Sequence, residues 1–170
     1  MNFTMITPHH NHDNGYISLI IKDLAELPDT ITVNGKTLTR KGEFHISLMA
    51  LKNLVPLINE SNISINEDDL VQFFLETQKD VPLSNYELTG ELRYVKRDER
   101  ETVVAMVNVL GVEVLFDKLR DKFSLEIPTQ PTHITIYTLQ PEAGIGILSP
   151  EELDRDSQTI TLPELSQYLG

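Results

Sequence analysis

Two short segments of this chain set a histidine two residues before a small hydroxyl residue: Phe44-His45-Ile46-Ser47-Leu48 and Thr132-His133-Ile134-Thr135-Ile136-Tyr137-Thr138. Side chains alternate between the faces of an extended strand. His45 therefore shares a face with Ser47, and His133 with Thr135, while Ile46, Ile134 and Ile136 turn the other way. Tyr137 continues the His133 face. Imidazole, with an unperturbed pKa of about 6.5, gives or takes a proton near neutral pH. A hydroxyl beside it can donate a hydrogen bond to an anion. If the two strands lie side by side, His45 and His133 become candidate acid–base groups. Ser47, Thr135 and Tyr137 become candidate ligand contacts.

The elements that must position these strands follow from local pattern. Tyr16–Ile21 is rich in β-branched and aromatic residues and predicts a buried strand. Asn34-Gly35 sits between two β-prone runs and predicts a hairpin, since both residues tolerate positive φ. Leu54, Val55, Leu57 and Ile58 suggest a short helix, with Pro56 confined to its first turn. Asn66 is placed to cap a second helix that presents Leu70, Phe73, Phe74 and Thr77 on one face. Tyr86, Leu88, Leu92 and Tyr94 alternate with polar residues as in a half-buried strand, and a more apolar strand comes next over Thr102–Val109. Val112, Leu115, Phe116, Leu119 and Phe123 mark an amphipathic helix. In the tail, Gly144-Ile145-Gly146-Ile147 reads as a bulge or turn able to fold over a ligand. Ser149-Pro150 opens a helix, and Thr159–Leu162 predicts a last strand.

This order predicts an α+β fold of mainly antiparallel sheets, two-lobed, with a central cleft carrying the two histidine strands. Residues 1–14, with the polar run His9-His10-Asn11-His12-Asp13-Asn14, read as a flexible arm. Residues 15–170 read as a single two-lobed domain. A length of 170 residues suits that division.

Composition narrows the function classes. There is no cysteine, which excludes disulfides, thiol nucleophiles and zinc ribbons. No apolar run approaches the roughly 18–20 residues of a membrane span, and the N-terminus lacks a secretion-signal pattern. The expectation is a cytoplasmic protein with no membrane partner. With 26 acidic and 14 basic residues the net charge is −12, which argues against binding duplex nucleic acid. A small cavity can still be locally positive, because charges beyond about 8–10 Å are largely screened. Arg40 and Lys41, just before the first motif, are candidates to supply that charge.

His45-Ile46-Ser47-Leu48 and His133-Ile134-Thr135-Ile136 resemble the paired His-x-[Ser/Thr]-apolar motifs of the two-histidine (2H) phosphoesterase superfamily. The similarity spans about Tyr16 to Ile147 in element order. It departs where members of that superfamily carry a helix and this chain has the Asn34-Gly35 hairpin. The resemblance implies a metal-independent phosphodiesterase with His45 and His133 as catalytic acid and base, and no cofactor. Its substrate would be a small nucleotide or RNA-end phosphodiester: a 2′,3′-cyclic phosphate, a 2′–5′ linkage or a related diester. Ser47 and Thr135 would hold the non-bridging oxygens, and Tyr137 would touch base or phosphate or else pack at the cleft rim. The alternatives are a non-catalytic nucleotide- or RNA-end-binding module of the same fold, or an acidic interaction protein.

Overall fold

The computed structural model describes Thr4–Met5, Pro8–Asn11, residues 15–140 and residues 143–169. The elements run β1 (Thr4–Met5), β2 (Pro8–Asn11), β3 (Tyr16–Ile21), β4 (Thr30–Val33), β5 (Lys36–Arg40), β6 (Phe44–Ala50), α1 (Leu51–Asn59) and α2 (Glu67–Asp80). They continue β7 (Asn85–Arg97), β8 (Arg100–Val109), α3 (Val112–Phe123), β9 (His133–Thr138), α4 (Pro150–Asp156), β10 (Ser157–Ile160) and α5 (Ser166–Leu169). The fold is α+β, and every described strand pair is antiparallel. The described strands join one sheet in the order β1-β7-β8-β9-β6-β3-β2, with β10 on β7 and the β4–β5 hairpin docked through β5 onto β9.

Local chemistry accounts for most of these elements. At the hairpin, Asn34 and Gly35 have φ of 53° and 77°, the left-handed pair that matches strand twist in a two-residue turn. Asn66 accepts from the Asp69 amide while the Asp69 side chain accepts from the Asn66 amide, closing a capping box on α2. The apolar stripes of α1, α2 and α3 pack with Ile17, Leu19, Ile46, Leu48, Ile134 and Ile136 in the main core, so these helices cover one face of the sheet. On the opposite face Val95, Val104 and Met106 meet Ile145 and Ile147 from the stretch before α4. Among the described residues no helix is long and apolar enough to cross a membrane.

Three expectations are corrected. Instead of an irregular arm over residues 1–14, Thr4–Met5 pairs with β7 and Pro8–Asn11 with β3. His12, Asp13 and Asn14 lie outside the described residues. The first helix starts at Leu51, directly after β6, so Pro56 is internal to it rather than in its first turn. A proline there removes one intrahelical hydrogen bond; burial of Leu51, Leu54 and Ile58 outweighs that loss.

The third correction concerns Tyr137. In β9 the register slips against β8: Tyr137 pairs with Val103, yet Thr135 pairs with Val104. One surplus residue, Ile136, therefore sits between them as a β-bulge. A single-residue slip turns the downstream side chains to the other face. Tyr137 accordingly enters the helix-covered core at 0% exposure. Its hydroxyl donates to the Pro28 carbonyl at 2.6 Å.

Candidate active site

β6 and β9 lie side by side, with Ile46 opposite Ile134. Antiparallel register then sets His45 across from Thr135 and Ser47 across from His133. Each histidine thus faces the hydroxyl of the other motif, and the two imidazoles occupy one diagonal of a four-residue square. Diagonal neighbours on such a pair are roughly 7–8 Å apart at the backbone and closer at Cβ. Flanking strands extend the rows: Ser18 opposes Ser47 and Met106 opposes His133, while Ile20 opposes His45 and Val104 opposes Thr135.

A register mismatch between the strands beside β9 shapes this square. β5 and β6 both run along the same flank of β9, but between Arg40 opposite Tyr137 and Ile46 opposite Ile134 the first chain has three residues too many. Residues 41–43 absorb them. The Lys41 amide still donates to the Ile136 carbonyl at 2.9 Å, and Lys41 reaches the rim of the site. Arg40 goes elsewhere: its guanidinium donates to the Ala25 and Leu27 carbonyls and pairs with Asp29.

All four residues of the square line one cavity of about 350 Å³. Lys41, Lys52 and Arg100 line it as well, and among the described residues no Asp or Glu does. In a chain of net charge −12 this is a local reversal of sign, and concave low-dielectric walls concentrate such a field. Lys52 also lies over the Tyr16 ring, 4.8 Å from its centroid. The stretch from Gly144 to Ile147 forms a further wall, tied down by Arg97 to the Gly146 carbonyl at 2.7 Å and Arg100 to the Gly144 carbonyl at 3.3 Å. A Cβ on Gly146 would come within 3.2 Å of the Tyr16 hydroxyl, so a side chain there would have to push that hydroxyl back by a few tenths of an ångström.

Ser47 is oriented from behind. The Gln130 amide nitrogen donates to its Oγ at 3.2 Å and to its carbonyl at 3.3 Å. With an Oγ lone pair engaged, the serine O–H is left to donate elsewhere. His133 is 8% exposed, and its Nδ1 is buried with no hydrogen-bond partner among the described residues. Burial, and secondarily the nearby His45, pulls its pKa down to about 4, so the ring is neutral at pH 7. An unpaired buried nitrogen costs about 1–3 kcal/mol, and such expense concentrates at working sites.

Compared with protein-family models, with curated proteins and with solved structures, the chain matches none. The resemblance to the two-histidine superfamily therefore rests on the sequence alone. Of the residues singled out in the sequence, His45, Ser47, His133, Thr135 and Lys41 come together, and Tyr137 and Arg40 do not. The sequence reading missed Tyr16, Lys52, Arg100 and Gln130. Gln130, three residues before His133 between Pro128 and Pro131, was the one with a positional hint. The others arrive from distant elements without any shared period.

Proposed function

We propose that this protein is a metal-independent phosphodiesterase acting on a small nucleotide or RNA-end diester: a 2′,3′-cyclic phosphate, a 2′–5′ linkage or a related ester. The observation that carries this reading is two imidazoles on one diagonal of a cross-strand square, in a cavity lined, among the described residues, by three cations and no carboxylate. A phosphodiester anion suits that cavity in charge, and the seam between β6 and β9 is the cleft of a two-lobed arrangement.

The chemistry is acid–base transfer on either side of phosphorus. Neutral His133 takes a proton from water as the water oxygen bonds to phosphorus. His45, as the acid, gives a proton to the ester oxygen as the P–O bond breaks. A bound anion raises the pKa of a neighbouring imidazole, which brings His133 from about 4 towards the range where it serves as a base. Ser47 and Thr135 donate to the non-bridging oxygens, and Lys41, Lys52 and Arg100 offset their charge. The resemblance supplies the nucleotide character of the substrate; the cavity supplies the preference for an anion.

The test is incubation with 2′,3′-cyclic nucleotides in the presence of EDTA. Turnover that is lost in both His45→Ala and His133→Ala supports the enzyme. Saturable binding without turnover points to a nucleotide-binding module of the same fold. Neither binding nor turnover leaves an acidic interaction protein.

A further inference from the structure

A second cavity, about 340 Å³, adjoins the first. Its surface is carbon: Leu54 and Leu57 of α1, Phe116 of α3, Ile127, Pro128 and Leu148. Three walls run on from the histidine cavity into it. Gln130 lines both; Lys52 lines the first and Asn53 the second; Ile147 lines the first and Leu148 the second. Apart from the exposed Asn53, the polar groups at its edge are already engaged. Glu152 accepts from the Leu148 amide at 2.8 Å and lies 3.4 Å from the Arg97 guanidinium. Ser149 Oγ accepts from the Glu152 amide, and the Gln130 amide is turned to Ser47. Little hydrogen-bonding capacity is left to select a polar occupant.

From this adjacency we infer that the cavity is a second subsite, and that the substrate carries an apolar alkyl or aryl arm running from its phosphate past Gln130 towards Leu57. The inference rests on the phosphate-binding reading of the histidine cavity and adds what lies beyond the phosphate. Gln130 is the hinge of the arrangement. Its 5% exposed side chain turns its amide nitrogen to Ser47 and lines both cavities. A ligand with charge at one end and carbon at the other matches both cavities at once.

A homologous series of alkyl phosphates, from inorganic phosphate through ethyl to hexyl phosphate, tests this by calorimetric titration. Each methylene that leaves water for an apolar pocket tightens binding up to about fourfold. Hexyl phosphate should therefore bind at least about tenfold more tightly than ethyl phosphate. Leu57 is 41% exposed at the rim, so Leu57→Asp is expected to fold, and it should flatten the series while leaving inorganic phosphate unchanged. Leu57→Ala, the gentler variant, should reduce the gain per methylene. Affinity independent of chain length, or a chain-length gain that survives both Leu57 variants, overturns the subsite. Failure of every phosphate in the series, the inorganic ion included, instead overturns the reading of the histidine cavity on which it rests.

Discussion

Two polar clusters sit on this sheet, and they handle charge in opposite ways. In one, Lys36, Tyr94 and Glu101 border a cavity of about 510 Å³. Glu101 is 5% exposed and accepts from the Lys36 ammonium at 2.5 Å and from the Tyr94 hydroxyl. Lys36, then Tyr94, holds its carboxyl below the usual range. Burial first, and the neighbouring carboxylate second, pushes the Tyr94 phenol up. Every charge in that trio is answered within the protein. In the smaller histidine cavity the charges share one sign, His45 depresses His133, and the His133 Nδ1 has no partner among the described residues. Cavity size does not separate the two. What separates them is the sign of the lining charges: acids and bases together around the first, and bases without Asp or Glu, among the described residues, around the second.

The largest expected effect tests that distinction directly. His45→Ala or His133→Ala should lower turnover of a cyclic nucleotide by about 10²–10⁴, whereas Glu101→Gln should leave turnover per folded molecule within about twofold. An equal loss in all three would erase the contrast.

Next is a pH effect. The folded-state pKa of His133 lies below its unfolded value, so between about 6.5 and 4 the unfolded chain binds a proton that the native chain refuses. Stability from this group is unaffected above that window and falls as pH drops through it. The full loss is about 3 kcal/mol by pH 4. Denaturant melts of the wild type and His133→Asn across pH 4–7 should diverge in stability by about that total at the acid end. Identical pH profiles would mean the ring is not desolvated.

Smaller effects sharpen the picture. Ser47→Ala should weaken binding of inorganic phosphate by about 10–100-fold, the worth of one hydrogen bond to a charged group. Glu101→Ala should lower stability by about 1–3 kcal/mol in chemical denaturation, because the buried Tyr94 hydroxyl loses its acceptor. Tyr137→Phe is the mildest. Losing the bond to the Pro28 carbonyl should lower stability by about 1 kcal/mol and leave turnover unchanged; a change in substrate KM would return this residue to the cavity.

Much of the frame was legible because short-range rules fix it. The Asn34-Gly35 turn, the Asn66 cap and the alternating strands each carry their cause within a few residues. The pairing of the two motifs was legible as chemistry, and register supplied the geometry. The features that stayed hidden depend on partners far away. Thr4–Met5 and Pro8–Asn11 become strands because β7 and β3 offer hydrogen-bonding edges, and Pro8-His9-His10-Asn11 has no apolar alternation to announce it. Pro56 is carried inside α1 by packing that propensity does not weigh. Lys52, Arg100 and Gln130 reach the cavity from a helix, a strand end and a loop. Alternation placed Tyr137 beside Thr135, and a regular strand would have kept it there.

The bulge at Ile136 gives β9 a division of labour. Its leading half, His133 to Thr135, is presented to the cavity, while its trailing half is bolted to the turn at Pro28. Substitutions of His133 or Thr135, upstream of the kink, alter the cavity lining, and those of Tyr137, downstream, alter the anchor. Excising that single isoleucine would leave a regular strand with Tyr137 still opposite Val103 and on the core face, at the loss of one buried side chain.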